Sequence, residues 1–225
     1  MNALLVAHGT RKPSGVALVE RLAQRVSAAL RSPVRVAFVD VVGPTPSEVL
    51  RGLSGPTVVV PAFLACGYHV NVDIPTHVMA SGHPDVTVTD PLGPSPQLAR
   101  VLLNRLSESG WRSGDSVVLG AAGTSDLRAQ SDLRRMATWL SALTNSRVEL
   151  AFAAAEPAVA DAVAELRARG ARRVVVASYL LSDGLFQDRL RASGADVVTN
   201  PLGTHEGMVR LITSRFRHAR LRAAA

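Results

Sequence analysis

Cysteine occurs once in the 225 residues, at Cys66, so no disulfide can close within the chain and a reducing compartment, the cytoplasm, is expected. No apolar run approaches the roughly 18 residues that suggest a membrane span. The opening Met1-Asn2-Ala3-Leu4-Leu5 has no basic residues ahead of its apolar ones, so a signal peptide is not expected. Aromatic residues make up only 4% of the chain and are not interleaved with the basic ones, which argues against a nucleic-acid surface. No Gly-rich phosphate fingerprint is present, so no nucleotide is expected.

Hydrophobic residues account for 47% of the chain, enough for one large domain or two small ones with real cores. Arginine far outnumbers lysine, and the formal net charge is +7. Such a charge steers anionic partners toward the protein, and a small polyanion suits it better than nucleic acid. The basic run Arg215-Phe216-Arg217-His218-Ala219-Arg220-Leu221-Arg222 reads as a solvated helix end.

Periodicity divides the chain into alternating strands and helices. Ala3–Ala7 is an apolar strand that ends in His8-Gly9-Thr10. A helix is predicted from Ser14, as N-cap, to Leu30. Val34–Asp40 is the next strand, followed by a short helix from Pro46 to Leu53. Thr57–Phe63 is the third, and the stretch after it carries Cys66, Gly67 and His69 in a turn. A helix from about Val72 to Ser81, a strand over Asp85–Asp90 and a helix over Ser95–Glu108 follow.

The pattern then begins again. Ser116–Thr124 repeats the first strand and its Gly-Thr turn, Arg147–Phe152 the second, and Arg173–Leu180 the third. Asn200-Pro201-Leu202-Gly203 repeats Asp90-Pro91-Leu92-Gly93. The chain therefore reads as two tandem α/β repeats, residues 1–110 and 115–225, each a parallel sheet with helices on both faces. Right-handed crossovers bring all strand carboxyl ends to one edge, where open α/β sheets bind ligands. In the first repeat that edge receives His8, Asp40 and His69. In the second, Ala122 stands opposite His8, Ala154 opposite Asp40, and Leu185 or Phe186 opposite His69. Groups needed only for folding should persist in both copies, so the contrast points to chemistry.

Two imidazoles and a carboxylate can hold a divalent metal with open coordination positions, or accept protons. Cys66 is a conceivable soft ligand, but a small buried residue at a strand end is its simpler reading. His77 and His83 fall on the helix and turn that follow; His205 and His218 read as surface residues. Arg11 and Lys12 follow His8 and are either solvent-exposed or paired with substrate carboxylates. Gly9 and Gly67 either make turns or let backbone approach a bulky ligand.

Three motifs in order resemble the sirohydrochlorin chelatases of the CbiX/SirB type. They are His8-Gly9-Thr10-Arg11, where that family usually has His-Gly-Ser-Arg; Phe38-Val39-Asp40, where it often has Phe-Leu-Glu; and Pro61–Pro75 with its Gly-x-His turn and Asp73-Ile74-Pro75. The resemblance implies a chelatase-like fold and insertion of Fe2+, Co2+ or Ni2+ into an anionic modified tetrapyrrole, for siroheme or cobalamin. It implies His8 and His69 as catalytic and metal-binding residues with Asp40 as the third metal ligand. It also implies substrate contacts at Arg11, Lys12 and Gly67, and no cofactor beyond the metal substrate. A second acidic position of that family is Val42 here, while Glu156 fits it in the second repeat. The lost histidines imply one active site per chain, in residues 1–110, with the degenerate repeat 115–225 completing the cleft, and a monomer that needs neither membrane nor nucleic acid. Two rivals remain. Histidine phosphatases also begin with a strand and a His-Gly turn, but there an arginine precedes the histidine, and here Ala7 does. The other is a non-catalytic metal- or tetrapyrrole-binding protein.

Overall fold

A computed structural model describes residues 1–223. They form two compact units: Met1–Gly93 together with the segment that starts at Thr204, and Pro94–Gly203.

The first unit holds the strands β1 (Asn2–Ala7), β2 (Val34–Phe38), β3 (Thr57–Pro61) and β4 (Val86–Val88), all parallel, in the order β2-β1-β3-β4. In β1, Ala3 to Ala7 are all buried, as expected of a central parallel strand covered on both faces. Register pairs Ala7 with Phe38 and Val6 with Pro61, so the residues after each strand emerge at the same edge. One core cluster contains Leu4, Val6, Ala37, Leu50, Val59 and Ile74. Truncating any such large side chain to alanine costs about 2–5 kcal/mol.

Three helices connect these strands: α1 (Pro13–Leu30), α2 (Pro46–Arg51) and α3 (Ile74–Ser81). The start of α1 differs from the sequence reading. Pro13 occupies the first turn, Lys12 sits at the N-cap with no side-chain capping bond, and Ser14 is already inside the helix. Helix α2 has a full capping box: the Glu48 amide donates to Thr45 Oγ1 at 3.4 Å and the Thr45 amide to Glu48 Oε2 at 2.7 Å. The bond from the Thr45 amide and, after it, the Thr45 hydroxyl hold the Glu48 carboxyl below its ordinary range.

The second unit repeats this plan with β5 (Ser116–Ala121), β6 (Val148–Phe152), β7 (Val174–Ser178) and β8 (Val197–Val198), in the order β6-β5-β7-β8. It carries α4 (Pro96–Glu108), α5 (Leu127–Thr144), α6 (Val159–Ala168) and α7 (Leu185–Arg191). Asp126 caps α5, accepting from the amides of Arg128 at 2.7 Å and Ala129 at 3.1 Å. The core gathers Val118, Ala151, Val163, Val176 and Leu190.

The sequence repeats and the compact units differ in two helices, which are exchanged. Helix α4 closes the first repeat in sequence but packs on α5 and β7 of the second unit, and α8 (Glu206–Ala223) packs on α1 and β3 of the first. The apolar residues of α8, including Met208, Ile212 and Phe216, are buried. Arg215, Arg217 and Arg220 are engaged rather than merely solvated. Arg217 donates to the Ala29 carbonyl at 3.0 Å, in the last turn of α1, and Arg25 of α1 pairs with Glu206 at 2.6 Å. His218 Nδ1 meets the Ser214 carbonyl at 2.8 Å, and His205 Nδ1 accepts from the Gly207 amide at 3.0 Å, so both have partners.

Candidate metal centre

Backbone bonds confirm how the two repeats superpose at the carboxyl edge. The Asp40 amide donates to the His8 carbonyl at 3.0 Å, and the Ala154 amide to the Ala122 carbonyl at 2.9 Å. The same backbone bond thus joins two polar residues in one unit and two alanines in the other. Gly9 (φ 103°) and Gly123 (φ 113°) both take the left-handed region, so the turn glycine serves the fold in each repeat.

His69 has no counterpart at all. Phe63 and Leu180 correspond, since each carbonyl accepts from the Leu of the Pro-Leu-Gly turn, Leu92 or Leu202. From Phe63 to Leu92 is 29 positions and from Leu180 to Leu202 is 22, so the second repeat is seven residues shorter here. The extra residues form the turn that bears His69. Leu185 and Phe186, expected opposite His69, instead begin α7, which occupies the place of α3.

The sequence reading puts His69 in a loop ahead of a helix at Val72. In the structure His69–Asp73 is a π turn that runs directly into α3. Proline explains it. Pro75 has no N–H to give to the carbonyl four residues back, and the Ile74 amide bonds the His69 carbonyl five residues back.

That turn brings His69 to His8. The two rings meet edge to face at 87°, with centroids 4.5 Å apart. Phe63 stacks on His69 at 5.7 Å, and exposed Tyr68 meets it edge-on at 6.2 Å. His69 Nδ1 lies 2.5 Å from Asp73 Oδ2, and His8 Nδ1 lies 3.2 Å from the Gly9 carbonyl. A carbonyl or a carboxylate can only accept, so each Nδ1 is the donor, and in the neutral ring that leaves the lone pair on Nε2. Two imidazoles, each with a basic nitrogen unspent, stand together at the carboxyl edge of the first sheet.

The Asp40 carboxylate is engaged within its own loop. Its Oδ1 accepts from the amide of Val41 at 2.7 Å, and the Val42 amide bonds the Asp40 carbonyl at 2.8 Å around Val41 at φ 70°. Among the described residues no three His, Cys, Asp or Glu side chains converge as a metal site. His77 turns to α2, with Nδ1 3.4 Å from Ser47 Oγ. His83 Nε2 is 3.4 Å from Thr57 Oγ1, at the amino end of β3 and so at the opposite edge of the sheet. Cys66 is only half-buried, with its thiol 3.3 Å from Asn71 Oδ1, and is not the core residue expected. Arg11 is exposed, Lys12 is half-buried, and the Gly67 carbonyl accepts from the amides of Val70 and Asn71, both at 3.1 Å. In the second unit, Glu156 Oε2 accepts from the Ala158 amide at 3.2 Å. Asp73 and Phe63, which orient His69, are missed by the sequence reading. An acid four residues after a histidine in a helical stretch is the signal that points to Asp73.

A duplicated parallel α/β unit, with paired imidazoles at the strand carboxyl edge of one copy only, defines a metal-handling protein of the chelatase fold. The chain belongs to the CbiX family, the sirohydrochlorin chelatases: the family model matches it twice, over residues 2–109 and 116–219. A sirohydrochlorin cobaltochelatase of Methanothermobacter thermautotrophicus is 28% identical over an alignment of 133 positions that covers 48% of this chain and 92% of that protein. SirB from Bacillus subtilis, solved with Fe3+, aligns with a TM-score of 0.81 at 22% identity, over 97% of this chain and 95% of that one. The sirohydrochlorin chelatase SirB of Bacillus subtilis subspecies spizizenii, in complex with cobalt, aligns with a TM-score of 0.76 at 20% identity over the same shares. Among the described residues no helix is long and apolar enough to cross a membrane.

Proposed function

We propose that this chain is a metal chelatase that inserts a divalent metal, Fe2+ or Co2+, into sirohydrochlorin or a closely related tetrapyrrole. The observation that carries this reading is the His8–His69 pair, present in one repeat and absent from the other of a CbiX-family chain.

Metal is a substrate here, so it must be held and then released. Two neutral imidazoles with open coordination positions suit that task better than a closed four-ligand site, which would retain the ion. His8 and His69 present Nε2 to the incoming metal and strip part of its water shell. As the ion passes to the ring nitrogens, two pyrrole N–H protons leave, and the vacated Nε2 atoms accept them before release to water. The net exchange is one divalent ion in and two protons out. Asp40 is tied to the His8 carbonyl through its amide, and its Oδ2, which the Val41 amide leaves unused, is the oxygen offered to the metal in this reading. In this reading Arg11 and Lys12 pair with the substrate's peripheral carboxylates, and Gly67, at the start of the His69 turn, lets the macrocycle approach. One such site per chain is consistent with a working monomer. The test is metal insertion followed by absorption, comparing wild type with His8→Ala and His69→Ala. Equal rates in all three would reject the assignment.

A further inference from the structure

The π turn sets more than the position of His69. The imidazole is held on one side by Phe63, stacked at 5.7 Å with 28° between the planes, and at Nδ1 by Asp73 Oδ2 at 2.5 Å. The side chains of His69 and Asp73 are 34% and 27% exposed, so water competes only partly for the bond. The bond is local, reaching from His69 to the residue four positions on within the π turn, which Pro75 follows at the start of α3. In the second unit, which lacks the turn, the acid just before the equivalent helix is Asp183, and it pairs with Arg191 at 3.0 Å instead.

We propose that Asp73 is a positioning residue that holds His69 in the Nδ1–H tautomer, so that Nε2 always offers a lone pair to the metal. The inference rests on the chelatase reading of the same site. Imidazole exchanges readily between two tautomers, and only one of them leaves Nε2 free. An ionised carboxylate has no proton to give, so it accepts from Nδ1 and excludes the other tautomer. An amide in its place removes that restriction, because Asn can turn its NH2 toward Nδ1 and stabilise the Nε2–H form. Asp73→Asn is therefore expected to be at least as damaging as Asp73→Ala, although it is the closer match in shape. Asp73→Glu keeps an acceptor-only group and is expected to restore part of the effect.

Two measurements on the intact chain test this. The first is long-range 15N–1H NMR of the His69 ring in metal-free protein. The second is Co2+ titration by absorption. Wild type is expected to show His69 protonated at Nδ1, and Asp73→Asn to convert it to a mixture or to the Nε2–H form. Co2+ affinity should fall about 10–100-fold in Asp73→Asn, with an unchanged thermal midpoint. If His69 stays in the Nδ1–H form in both Asp73→Asn and Asp73→Ala, or Co2+ binds these variants as it binds wild type, the proposal is overturned. His69→Ala separates the two levels of the argument. If it loses Co2+ affinity while the Asp73 variants do not, only the role of Asp73 fails. If it binds Co2+ as tightly as wild type, the metal-site reading fails and Asp73's role with it.

Discussion

The carbonyl oxygen of Asp40 lies only 2.1 Å from where a Cβ on Gly9 would stand. Residue 9 also takes φ 103°, a region that L side chains rarely enter. Gly9→Ala should therefore push the Asp40 loop off the His8 turn and destabilise the fold by about 2–4 kcal/mol. Urea unfolding measures this. Gly123→Ala should behave similarly in the second unit, where the added Cβ would come within 2.9 Å of Ala155 Cβ. A neutral Gly9→Ala would show that the loop is looser than it appears.

Val41 is a β-branched residue at φ 70° and 44% exposed. Its neighbours' bonds hold it there: the Val42 amide to the Asp40 carbonyl, and its own amide to Asp40 Oδ1. Left-handed backbone costs a residue of this kind roughly 1–2 kcal/mol. Val41→Gly removes that cost and adds about 0.5–1 kcal/mol of unfolded-chain entropy. A net gain of about 0.5–1 kcal/mol is expected, visible as a higher thermal midpoint. A lower midpoint would mean that Val41 contributes packing that outweighs its conformation.

The Asp196 carboxyl is held below its ordinary range, first by the Val174 amide at 2.7 Å and then by Arg167 at 3.0 Å. Its folded pKa lies below its unfolded one, near 3.9, so the stability it contributes is full above about pH 4 and is lost as pH falls through the folded pKa. Asp196→Asn should be less stable than wild type at neutral pH, and the gap should narrow as the pH is lowered below about 4. Urea midpoints taken across that range test it. A gap that does not change with pH would assign the loss to packing.

Much of the site can be read from the chain before any coordinates, because strand ends carry their chemistry with them. His8 and His69 each follow an apolar strand, and a parallel sheet must bring those ends to one edge. Comparison of the two repeats adds that Ala122 stands where His8 does. What is not legible is local geometry. Asp40 reads as a ligand, yet its carboxylate has an amide of its own loop within reach, and aspartate readily takes such local bonds. The π turn depends on how the chain accommodates Pro75, which periodicity does not encode. The exchange of α4 and α8 is hidden for a different reason. Both helices have an apolar stripe, and pattern alone does not say which sheet that stripe covers.

The central claim is that His8 and His69 act together on a metal bound for a tetrapyrrole. The most direct measurement incubates the protein with sirohydrochlorin and Co2+ or Fe2+ and follows the absorption change of insertion. Comparison is with the metal alone and with His8→Ala, His69→Ala and the double variant. The account predicts insertion above the spontaneous rate for wild type and a loss of about 10²-fold or more in each single variant. The double variant should be little worse than either, because the two rings work as one unit. Wild-type insertion no faster than the spontaneous rate, or full activity in both single variants, would contradict it.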